Sequence, residues 1–88
     1  MVYSSILWDL EDDPNGNVWH CAEHDVTMEE VEQVLRKPAS LEISRSTGRP
    51  VAFGSTDSGR FLAVVFEEVD KDTVYPITAY DVSPRSSP

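Results

Sequence analysis

Residues 60–69 read RFLAVVFEEV, and this stretch decides the fold class. Every position from Phe61 to Phe66 is apolar. The run is short for a helix and rich in β-branched and aromatic side chains, the pattern of a strand in the middle of a sheet with both faces covered. Working outward, an alternation of period two recurs on either side, in SLEIS (40–44) and RPVAFGST (49–56) before it and TVYPITAYDV (73–82) after it. The connections RSTG (45–48), TDSG (56–59) and DKD (70–72) are short and turn-forming. Strands joined this tightly lie antiparallel to their neighbours, so the four runs predict an antiparallel meander with 61–66 at its centre. Pro76 cannot donate to a ladder, which predicts an edge or a bulge in the last strand.

Upstream of Pro38 the period is helical. In DVTMEEVEQVLRKP (25–38), Thr27 and Glu30 have capping-box spacing, Val26 and Val31 occupy the positions of a hydrophobic staple, and Pro38 marks the stop. Met28, Val31, Val34 and Leu35 form one apolar stripe, while Glu29, Glu30, Glu32 and Gln33 are expected to face water. A second helix is expected from about Asn17 to His24, after the breaker EDDPNGN (11–17), and a short strand in SSILWDL (4–10). The predicted fold class is therefore α+β: a short N-terminal strand, two helices, then a four-stranded antiparallel meander sheet. Eighty-eight residues suit one small core, assigned to residues 1–82, with SPRSSP (83–88) as a frayed tail.

The net charge of -9 is unevenly distributed. From Met1 to Pro38 nine acidic residues stand against Arg36 and Lys37, whereas in residues 44–64 only Asp57 opposes Arg45, Arg49 and Arg60. The chain as a whole should repel nucleic acid, with one face of local exception. The single Cys21 allows no intramolecular disulfide, and no apolar run reaches the length of a membrane span. With no secretory pattern at the start, a cytoplasmic location and no membrane association are expected.

HCAEH (20–24) raises the question of a metal, because His20 and His24 are one helical turn apart with Glu23 beside them. A catalytic zinc needs a third protein ligand and an open position, and no later segment supplies the ligand. In EDDPNGNV (11–18), Glu11, Asp13, Asn15, Gly16 and Val18 fall on calcium-loop positions, but the closing acid's position holds Ala22. Both stretches read as helix surface and turn, so no metal and no cofactor is expected. The serines show no GxSxG elbow and the glycines no phosphate loop. Arg45, with Tyr75 and Tyr80 on the last strand, offers the minimum for single-stranded RNA, a cation for phosphate and rings for bases. Exposed arginines on hairpins more often only solvate a sheet edge.

Read in order, the elements resemble the BrnT-like branch of the RelE superfamily, the toxins of bacterial type II toxin-antitoxin modules. The resemblance runs from about Ile6 to Val82 and rests on Trp8-Asp9, EHDVTMEEV (23–31), Lys37-Pro38, VAFG (51–54), SGRFLAVVF (58–66) and VYPITAYDVS (74–83). It implies a metal-independent endoribonuclease silenced by a partner antitoxin. In that chemistry a base activates the 2'-hydroxyl and arginines neutralise the phosphate. Carried over by position, His24, Arg49 and Arg60 become the catalytic candidates, and RNA and a cognate antitoxin the partners. The chain departs from the family pattern where Glu23 replaces a lysine, Asp25 a glycine, and Tyr80 and Asp81 a basic pair. The leading expectation from the resemblance is a toxin-like component of a toxin-antitoxin module, a candidate endoribonuclease; the alternative is a catalytically inactive relative that keeps the fold as a protein-binding module.

Overall fold

A computed structural model of the chain describes residues 5–82; the tail assigned to 83–88 lies outside them. Seven elements follow one another: β1 (Ser5–Ile6), α1 (Asn17–Ala22), α2 (Met28–Arg36), β2 (Ser40–Ile43), β3 (Pro50–Ser55), β4 (Phe61–Glu68) and β5 (Thr73–Asp81). They form one five-stranded sheet in the order β1-β5-β4-β3-β2 with the helices packed against it. The fold is α+β, and β2 to β5 make the expected antiparallel meander. The sheet is nevertheless mixed, because β1 runs parallel to β5, with Ser5 opposite Thr73 and Ile6 opposite Val74.

β4 is the central strand, as its composition predicted. Its two faces are not equally covered. Leu62, Val64 and Phe66 are fully buried in the core with Val31, Val34 and Leu35 of α2 and Cys21 of α1. On the other face Ala63 is buried beneath its larger neighbours, while Phe61 and Val65 stay half-exposed. Phe61 stacks there on Phe53 of β3 with ring centroids 6.4 Å apart. Thus an unbroken apolar run marked a central strand but not a strand sandwiched between two layers.

Pro76 stands at a bulge, on a side of β5 that β1 no longer pairs. Val65 pairs with Thr78 and Phe66 with Pro76, so Ile77 is an extra residue in β5. On the β1 side, Val74 C=O accepts from Leu7 N–H at 2.9 Å. Two residues on, Pro76 C=O accepts instead from Asn17 Nδ2 at 2.9 Å. The ladder with β1 has ended by then, so the missing proline N–H costs no sheet hydrogen bond.

α2 begins and ends where its sequence requires. Thr27 Oγ1 accepts from Glu30 N–H at 3.2 Å, and Glu30 Oε1 accepts from Thr27 N–H at 3.1 Å, completing the capping box. α1 is shorter than expected, stopping at Ala22. Asp25 takes a left-handed backbone, φ 60°. Its N–H returns to Ala22 C=O at 3.0 Å, and Val26 N–H returns to Cys21 C=O at 3.1 Å. These are the paired bonds of a helix end whose left-handed position favours glycine, with buried Val26 and Cys21 closing over it. His24 therefore sits in the cap and not on the helix. Replacing Asp25 with glycine relieves the left-handed penalty, and Asp25→Gly should raise stability by about 0.5–1 kcal/mol in denaturant melts. A loss of stability would mean that the carboxylate, and not the backbone, holds this turn.

Candidate functional site

The segment between β1 and α1 is fastened by side chains rather than by strand pairing. Asn17, 1% exposed, accepts at Oδ1 from Asp9 N–H (2.8 Å) and donates from Nδ2 to Leu7 C=O (2.9 Å) as well as to Pro76. Asp9 answers by accepting the Asn17 N–H at 2.9 Å, which supplies α1 with the N-terminal acceptor that Gly16 cannot. A Cβ at Gly16 would lie 2.7 Å from Asp9 Cβ, so this approach needs glycine. The same Asp9 carboxylate accepts from the Tyr75 hydroxyl. That bond, then burial, push the Tyr75 phenol up to about 12, and with the Asn17 N–H it holds the Asp9 carboxyl below its ordinary value. Trp8 Nε1 donates to Glu32 of α2 at 2.9 Å. The Trp8-Asp9 pair is thus structural in what it touches, and Tyr75 spends its hydroxyl within the fold.

Arg60 opens β4 at the corner where the cap of α1, the start of α2 and the end of β5 meet. Its Nη1 lies 3.0 Å from both oxygens of Glu30 and 2.8 Å from Asp25 C=O, and its Nε lies 3.1 Å from Asp81 Oδ2. Hydrogen bonds to Asp81, and secondarily to Glu30, raise its pKa further above the ordinary arginine value. The cation is clamped between two carboxylates. Glu30 serves both this clamp and the capping box, which ties the start of α2 to the sheet.

Arg49 lies in the β2–β3 connection and pairs with Glu67 at 3.3 Å. Glu67 is near the end of β4 and Arg60 precedes its start, so the two arginines are separated by roughly 20 Å of strand. They do not converge on one phosphate. Arg45 lines an open depression with Glu42, Val51, Phe53 and Tyr80. Tyr80 in turn presents its ring to His24, centroids 6.2 Å apart and edge-on. Of the residues singled out by sequence, then, Arg45, Tyr80 and His24 form a chain of neighbours, Arg60 adjoins it through Asp25 and Asp81, and Arg49 and Tyr75 are occupied elsewhere.

The histidines of HCAEH are parted by the helix end, and Cys21 between them is buried, its thiol pushed up to about 11 by burial. No group of three or more His, Cys, Asp or Glu side chains that could hold a metal occurs among the described residues. Among the described residues no helix is long and apolar enough to cross a membrane.

Sequence reasoning missed a groove at the junction of the two helices, lined by Glu11, Val18, Ala22, Asp25, Val26, Thr27, Met28 and Glu29. Its signal was present in the spacing of Val18 and Ala22, four residues apart on α1, beside a Met28 that is only half-buried. The chain matches no known family, curated protein or solved structure.

Proposed function

We propose that this chain is a toxin-fold relative that acts by binding a protein partner and does not cleave RNA. The observation that carries this reading is the capture of Arg60 by Glu30 and Asp81. Cleavage of a phosphodiester needs donors aimed, unspent, at the place where negative charge develops. The arginine best placed beside His24 is already neutralised, and Arg49 is paired with Glu67. A net charge of -9 adds a general repulsion against a polyanion.

The neighbouring placement of His24, Tyr80 and Arg45 favours the second reading, a weak ribonuclease in which Tyr80 stacks a base and His24 serves as the base or acid. The two readings separate in one measurement. Total RNA incubated with the purified chain is expected to stay intact, and induced expression is expected to leave growth unchanged. Cleavage that disappears in His24→Ala, with the thermal melt of that variant unchanged, would overturn the proposal in favour of the nuclease.

A further inference from the structure

We infer that the groove between α1 and the start of α2 is the docking site for a basic, amphipathic segment of a partner protein; this rests on the protein-binding reading above. The floor is apolar, made by Val18 and Ala22 on one turn of α1 and Met28 at the first position of α2, over buried Val26. Glu11, Asp25 and Glu29 form the rim. Among the described residues none of these three carboxylates is held in an ion pair, whereas the acids beside the arginines are. Four ion pairs use every described arginine except Arg45, and none of them reaches the groove.

Charge selects the occupant. An apolar anchor satisfies the floor, and only a segment carrying Lys or Arg on either side of that anchor answers three unpaired carboxylates. A second copy of this chain brings a net charge of -9 against the same rim, and its first 38 residues hold nine acids to two bases. RNA and an anionic lipid surface are repelled for the same reason. What remains is a cationic protein segment, with the apolar floor setting its register and the rim its sign.

The test uses the full chain, isotope-labelled for NMR and titrated with a synthetic peptide that repeats leucine and lysine at helical spacing. A control peptide carries glutamate in place of lysine. The amides of Val18, Ala22, Met28 and Glu29 are expected to shift with the lysine peptide alone. Met28→Asp is the deciding variant, because it makes the chain more acidic yet spoils the floor, and aspartate at a helix start is compatible with folding. Docking predicts a Kd weaker by roughly tenfold, the loss of one buried anchor; mere charge attraction predicts equal or tighter binding. Glu11→Gln with Glu29→Gln should weaken binding more than Glu42→Gln with Asp57→Asn, which removes the same charge elsewhere. Absence of binding, unchanged or tighter binding by Met28→Asp, or shifts confined to the sheet overturns the groove. Shifts on the sheet would leave the protein-binding reading standing, whereas RNA cleavage dependent on His24 would remove that reading itself.

Discussion

Phe66→Ala is expected to lower the free energy of unfolding by about 3–5 kcal/mol, the range for emptying a buried phenylalanine site. Phe66 is fully buried and heads the side chains in the core by volume. It lies on the central strand, on the face covered by the helices, one residue past the position where the β4–β5 register shifts. Neighbours on the strand are held by the ladder and cannot collapse into the space. A domain of this size has about 5–15 kcal/mol in all, so the variant forfeits a large fraction of it. Phe61→Ala is the matched control, since Phe61 is half-exposed on the uncovered face and touches Phe53. Its loss should be less than half as large in the same denaturant melts. Equal losses at the two positions would show that both faces of the sheet are equally packed and that the helices do not cover only one.

Asn17→Ala is expected to cost about 2–4 kcal/mol, from several hydrogen bonds lost at a buried position. The side chain accepts from Asp9 N–H and donates to Leu7 and Pro76 C=O, and it is closed to water. Removing it strands three backbone groups on two segments and unties the β1 extension from β5. Asn17→Asp separates hydrogen bonding from size, because an oxygen replaces the donor that faces two carbonyl oxygens. Its penalty should equal or exceed that of alanine at neutral pH. Acidification should shrink the difference from wild type, since a protonated carboxyl regains one donor. Melts of the three proteins at neutral and acidic pH make the comparison. If Asn17→Ala leaves the melting midpoint unchanged, the N-terminal segment is held by contacts other than these.

The elements legible in the sequence are those whose causes lie close together along the chain. Thr27 and Glu30, three residues apart, start α2 wherever the rest of the chain is, and Pro38 ends it. The hairpin order of β2 to β5 follows from connections too short to permit another arrangement. α1 began at Asn17 as expected, but its end was misplaced by two residues because the left-handed turn at Asp25 leaves no mark in a helical pattern written without glycine.

Tertiary structure decided the chemistry. In the sequence Arg60 is a charged residue after a turn, and nothing local tells whether it is free for a phosphate. Its partners, Asp25, Glu30 and Asp81, are 35, 30 and 21 residues away, and only the meeting of α1, α2 and β5 at one corner brings them together. The same holds for Tyr75, whose partner Asp9 is 66 residues away, and for β1, whose two residues pair with Thr73 and Val74. Composition determined the sign of the molecule, and local pattern determined most of its elements. Which charges cancel and which remain exposed is set by distances of a few ångströms between distant segments, because the Coulomb and hydrogen-bond energies that settle it vanish over the separations the sequence records.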